Sequence, residues 1–126
     1  MNKIFDFNQY SQACIQCAKC IPVCTIHNIN PDETTSPRGF IALLGAYENG
    51  NLELDRNAKD IFESCFLCTN CVEVCPLDLP TDTMIEQVRF DIAQKYGITW
   101  YKKAFFYLLR HRKTMDILFK LGYSFQ

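Results

Sequence analysis

The residues of this chain best suited to chemistry are its cysteines, and they fall into two runs of one spacing. Cys14, Cys17, Cys20 and Cys24 make the first C-x-x-C-x-x-C-x-x-x-C. Cys65, Cys68, Cys71 and Cys75 make the second, and none of the eight cysteines lies outside the two. An iron-sulfur cluster needs three thiolates from one compact loop and a fourth from elsewhere, and a doubled run meets that need by exchange. The pattern predicts two 4Fe-4S clusters. In the bacterial two-cluster arrangement the fourth cysteine of each run serves the other cluster. One ligand set is then Cys14, Cys17, Cys20 and Cys75, and the other is Cys65, Cys68, Cys71 and Cys24. Such a crossing would tie the two halves of the chain together through metal.

Two other uses of cysteine compete with this one. A structural zinc site is usually built from two separated C-x-x-C pairs, whereas here four cysteines crowd into eleven residues, twice. Zinc stays open as an alternative, because soft thiolates accept it. Disulfides need an oxidising compartment, and Met1-Asn2-Lys3-Ile4-Phe5-Asp6 holds no apolar secretory stretch, so a cytoplasmic location is expected. His27 follows the first run closely, but eight cysteines already suffice for two clusters. His111 sits in a basic stretch and reads as a surface residue. Neither histidine has an acid-base partner in sequence, so no catalytic residue is assigned.

The elements that must position these cysteines read as helices. Asp6 can start a short helix leading into Cys14. Cys24 and Cys65 are 41 positions apart, and Ser36-Pro37 fits an N-cap followed by proline at the first helical position. Phe40, Leu43, Leu44 and Tyr47 then share a face, and Gly50 closes the segment. A second helix is predicted from about Leu54 to Ser64, burying Ala58, Ile61 and Phe62 and delivering the chain to Cys65. Thr81 is predicted to cap a third helix carrying Ile85, Val88 and Ile92, with Gly97 as the stop after Tyr96. Pro76, after the fourth cysteine of the second run, turns the chain away from the cluster. The first run has Thr25 there, so the duplication is visible in the cysteine spacing and hardly elsewhere.

At 126 residues the chain is expected to be one small domain, or one domain with an appendage, and its core must be modest. Two clusters would act as cross-links, so folding is expected to depend on them. Residues 1–97 hold seven Lys or Arg against thirteen Asp or Glu, and residues 98–126 hold six against one. An acidic cluster-bearing domain over 1–97 and a basic C-terminal helix or connector over 98–126 are thus expected. Acidic surfaces suit small electron carriers that dock on basic partners, although a merely solvated surface reads the same way. No base-reading motif accompanies the basic tail, so nucleic acid is not an expected partner. The longest apolar run of the tail, Ala104 to Leu109, is far short of the roughly 20 residues of a membrane span. Tyr101, Phe105, Leu108, Met115 and Phe119 fall on one face of a helix over 100–123, ringed by Lys102, Arg110, Lys113 and Lys120. Such a helix suits packing on a core or second domain, docking of a partner subunit, or contact with an anionic membrane surface.

The chain resembles a known family in both cysteine runs, in Ser36-Pro37-Arg38-Gly39-Phe40-Ile41-Ala42-Leu43 and in Cys75-Pro76-Leu77-Asp78-Leu79-Pro80-Thr81. Over about residues 10–97 it is similar to the iron-sulfur subunits of glycolate and lactate dehydrogenases. These are related to the small heterodisulfide reductase subunit and to the anaerobic glycerol-3-phosphate dehydrogenase subunit. The resemblance implies an all-α fold, an alpha-helical ferredoxin with two 4Fe-4S clusters plus the C-terminal amphipathic helix. It implies an electron-transfer module of an oxidoreductase, itself non-catalytic, between a flavoprotein that oxidises a 2-hydroxy acid, glycolate or lactate, and a downstream acceptor. A cysteine-rich domain or subunit follows in full-length members, and the basic tail resembles their connecting segment, so a domain of a longer subunit is expected. The expected location is cytoplasmic, with peripheral contact at the inner membrane face through residues 100–123 as one of the three uses open to the tail. Arg38 is expected either beside a cluster or as a solvated or ion-paired surface residue, and the same two readings are open for Lys19. Lys19, Thr25 and Asn70 depart from the family pattern of glycine before the third cysteine and proline after the fourth, which bears on the potentials. The rival readings are an iron-sulfur redox sensor and a zinc-stapled interaction domain.

Overall fold

The computed structural model describes residues 6–124, so Met1–Phe5 of the expected first domain and residues 125 and 126 lie outside the described residues. Helices α1 (Phe7–Ala13), α2 (Thr25–Ile29), α3 (Pro37–Glu48), α4 (Arg56–Glu63), α5 (Asn70–Glu73), α6 (Thr81–Tyr96), α7 (Trp100–Arg110) and α8 (Arg112–Ser124) follow in order, with a 3₁₀ turn at Glu33–Thr35. The fold is all-α, as expected. Two compact units divide the chain, residues 1–92 and 93–126.

In the first unit, local chemistry fixes the helix starts. The Asp6 carboxylate accepts from the amides of Asn8 and Gln9, which starts α1. Ser36 Oγ accepts from Gly39 N at 3.0 Å and Pro37 takes the first helical position, so α3 begins as expected. At its end Gly50 adopts φ +74°, its amide bonds Tyr47 O, and the Asn51 amide bonds Ala46 O, a left-handed stop. Asp55 caps α4 through Ala58 N at 2.7 Å. Leu54, expected inside that helix, precedes it and is buried all the same. Thr81 does not cap α6: it is the first helical residue, and its hydroxyl is directed back to Leu79 O at 3.5 Å. The preceding proline shifts the boundary by one position.

The apolar faces of these helices make one core: Phe7, Phe40, Ile41, Leu44, Leu54, Ala58, Phe62, Leu79, Met84, Ile85, Val88 and Ile92. Phe40 and Phe62 meet in a tilted pair, centroids 6.2 Å apart. Leu43, Tyr47 and Ile61 pack at its edge, together with Cys14, Cys65 and Cys75. The cysteine loops therefore lie against the core, which holds them from one side.

In the second unit the helix expected over 100–123 is two helices, parted at His111 (φ −108°, ψ 76°). Leu108 and Met115 are half-buried, whereas Tyr101, Phe105 and Phe119 are exposed. Among the described residues no helix is long and apolar enough to cross a membrane.

Candidate metal centre

Both cysteine runs impose the same unusual backbone. Gln16 and Ala18 flank Cys17 with φ of +54° and +64°, and Leu67 and Thr69 flank Cys68 with +55° and +62°. Left-handed non-glycine residues are uncommon, and their recurrence at the same motif positions marks a demand of the site. The hydrogen bonding repeats as well. Ile21 N bonds Ala18 O and Cys24 N bonds Ile21 O, while Val72 N bonds Thr69 O and Cys75 N bonds Val72 O, all between 2.8 and 3.1 Å. The same left-handed positions shape both loops alike, and in the second the Leu67 amide donates to Cys65 Sγ at 3.5 Å. The duplication that the side chains hide is thus plain in the main chain. After the second run, Asp78 N bonds Cys75 O at 3.2 Å, closing a turn with Pro76 at its second position, as the sequence suggested.

The thiols line two cavities. Cys24, Cys65, Cys68 and Cys71 line one of about 440 Å³, counted with its open mouth. Cys14, Cys17, Cys20 and Cys75 line the other, of about 400 Å³ on the same measure, and Cys71 borders this one too. Pro37 lines the first cavity, Arg38 and Ile41 the second, and Thr81 both, so the N-termini of α3 and α6 abut the two cavities. Helix N-termini favour negative charge, as a thiolate-bound cluster presents. All eight cysteines are unbridged. Cys17 and Cys68 are exposed, one at each cavity.

Burial raises the pKa of Cys20, opposed by main-chain hydrogen bonds that include the Arg38 amide. Cys65 is likewise raised by burial, against the pull of Leu67 N at 3.5 Å and of the Arg89 charge. Cys71 is pushed up to about 12 by burial first, and then by Cys65, Cys20, Cys68 and Cys24. Thiols of both runs act on Cys71. The sulfur donors, half-buried save for the exposed Cys17 and Cys68, line two cavities on strained loops against an apolar core, the soft donor set of an iron-sulfur cluster, and among the described residues no three or more of them close around a metal position.

The other residues singled out from sequence take clear places. Arg38 borders the cavity of Cys14, Cys17, Cys20 and Cys75, as does Lys19. The guanidinium of Arg38 also grips Glu33, Nε to Oε1 at 2.5 Å and Nη2 to Oε2 at 3.1 Å. That grip holds the Glu33 carboxyl below its ordinary range. His27 Nδ1 lies 3.1 Å from Asp32 O, away from the thiols, and His111 stacks on Tyr107 at 4.2 Å. Arg89 escaped sequence reading. From the apolar stripe of α6 it donates to Phe62 O at 2.8 and 3.0 Å and to Cys65 O at 2.5 Å, fixing the end of α4 and the start of the second loop. A lone arginine among Ile85, Val88 and Ile92 was the available signal.

The 4Fe-4S dicluster domain family matches residues 13–80. The chain is 33% identical over 108 residues to a probable glycolate oxidase iron-sulfur subunit of Bacillus subtilis, covering 81% of this chain and 24% of that protein. It is 29% identical over 84 residues to the glycolate oxidase iron-sulfur subunit of Escherichia coli, covering 67% of this chain and 20% of the relative. Lactate utilization protein B of Bacillus velezensis is 29% identical over 91 residues, 67% of this chain and 17% of that protein. The chain thus spans about a quarter or less of the length of these relatives. No solved structure matches it. The doubled loops and the match over more than half of the sequence have one explanation: the chain belongs to the 4Fe-4S dicluster domain family and carries two 4Fe-4S clusters.

Proposed function

We propose that this chain relays electrons between a flavoprotein that oxidises a 2-hydroxy acid, glycolate or lactate, and a downstream acceptor. A 4Fe-4S cluster supplies one-electron transfer, which suits dividing the two-electron output of a flavin. Cys14, Cys17, Cys20 and Cys75 hold one cluster, and Cys65, Cys68, Cys71 and Cys24 hold the other. The observation that carries this reading is that three cysteines of one run and the fourth of the other line each cavity, with Cys71 bordering both. Phe40, Ile41 and Leu79 wall the cavities with apolar surface, and the Leu67 amide donates to Cys65 Sγ at 3.5 Å. The names of the relatives support glycolate or lactate as the substrate of the partner, and the substrate itself is not bound by this chain. Residues 1–97 are the cluster domain and 98–126 the connector to a cysteine-rich region. The exposed aromatic residues of α7, with Lys102, Lys103 and Arg110, support a peripheral contact at the cytoplasmic face of a membrane.

Anaerobic purification with iron and sulfide analysis tests the reading directly. About eight irons per chain and two magnetically interacting paramagnets on reduction are expected. Stoichiometric zinc without acid-labile sulfide would overturn it. Cys75→Ser should disturb the cluster held by the first run, and an effect confined to the second run's cluster would refute the crossing.

A further inference from the structure

The two loops repeat each other in backbone, so a difference between their clusters must come from what surrounds them. Lys19 and Arg38 border the cavity of Cys14, Cys17, Cys20 and Cys75. The charged residue bordering the cavity of Cys24, Cys65, Cys68 and Cys71 is Asp82. Arg89 approaches this second side, but its guanidinium is turned onto the carbonyls of Phe62 and Cys65.

Arg38 is the fixed charge of the pair of cations. Glu33 holds it by two hydrogen bonds, and Ser36 Oγ donates to Glu33 Oε1 at 3.1 Å, so the carboxylate is itself anchored to the start of α3. The side chain of Arg38 is 33% exposed and that of Glu33 53%, which leaves part of the field unscreened by water. A thiolate-bound cluster is negative and reduction adds another negative charge. A neighbouring cation therefore favours the reduced form, and a carboxylate opposes it.

We infer that Arg38, positioned by Glu33, makes the cluster of Cys14, Cys17, Cys20 and Cys75 the more easily reduced of the two, with Asp82 acting in the opposite sense on the other. The inference rests on the crossed ligand sets proposed above. Glu33 has two effects, since it orients the cation and offsets part of its field. Glu33→Gln keeps an oxygen that accepts from Arg38 and removes only the opposing charge, so it and Arg38→Gln must move one midpoint in opposite directions, which a loss of packing would not do.

The test is a mediated potentiometric titration of the cluster-loaded chain, followed by electron paramagnetic resonance. Arg38→Gln should lower one midpoint, changing its reduced-to-oxidised ratio at fixed potential by about three- to tenfold, where tenfold is about 59 mV for one electron. Glu33→Gln should raise the same midpoint, Arg38→Lys should stay near the parent value, and Asp82→Asn should raise the other midpoint. Shifts of the same sign for Arg38→Gln and Glu33→Gln, equal shifts of both clusters, or no shift would overturn the inference. If Arg38→Gln loses iron, the Glu33→Gln and Asp82→Asn shifts decide it. Iron and sulfide assays separate the two levels. A parent chain without about eight irons refutes the cluster reading, whereas full iron with unmoved midpoints refutes only the role of Arg38.

Discussion

A methyl group on Gly39 would run into the Glu33 carbonyl, backbone against backbone, so this glycine is there for close approach. Gly39→Ala is expected to cost about 1–3 kcal/mol, seen as a lower unfolding temperature of the cluster-loaded chain. Ser36→Ala should cost about 1 kcal/mol by the same measurement, through the lost cap. At Arg89, truncation to Met leaves the carbonyls of Phe62 and Cys65 without their charged donor. A penalty of about 1–3 kcal/mol and faster bleaching of cluster absorbance in air are expected, because the start of the second loop is freed. The four residues of Ser36-Pro37-Arg38-Gly39 thus have four separate reasons, of which only two could be read from the sequence. Cap and proline act within one turn and announce themselves by residue type. Gly39 answers a backbone six residues upstream and Arg38 a carboxylate five upstream, contacts that exist only after the 3₁₀ turn has formed.

The contact of α1 with α3 passes through Gly45, where an added Cβ would overlap the Ser11 side chain. Gly45→Ala should destabilise the cluster-loaded chain, and adding Ser11→Gly should return part of the loss. The coupling, read from thermal unfolding as a double-mutant cycle, should be about 0.5–3 kcal/mol. Strict additivity would show that the helices do not touch there. Helices α3, α4 and α6 were legible because their apolar residues recur at helical spacing and cover one core. The break between α7 and α8 was not. No glycine or proline marks it; the His111 ring instead stacks on Tyr107, and Thr114 Oγ1 donates to His111 O at 2.6 Å. Such polar side-chain contacts are invisible to apolar periodicity, which runs through the break undisturbed.

Across the whole molecule the thiols link metal to pH. Only thiolates bind iron, and burial keeps Cys20, Cys65 and, with a pKa of about 12, Cys71 protonated at neutral pH. Loading must release those protons, so it should proceed further at about pH 8.5 than at about pH 6.5, with proton uptake by a weak buffer dye as the readout. Without iron the sign is set by linkage. The folded chain keeps protons that unfolded thiols lose near 9.0, so its stability is whole below that pH and falls as pH rises toward 12. Removing iron by chelation should also lower helical circular dichroism, since the core alone is small. The left-handed residues beside Cys17 and Cys68 set a limit on how tightly the metal is held. Each holds its backbone against a preference of roughly 1–2 kcal/mol, and four of them together approach the low end of the ~5–15 kcal/mol that stabilises a whole domain. Once the metal leaves, these residues are free to relax, and part of the binding free energy of a returning cluster goes into winding them back. The loops therefore trade affinity for shape, and glycine, which takes this backbone without the cost, is the residue that would tighten the grip.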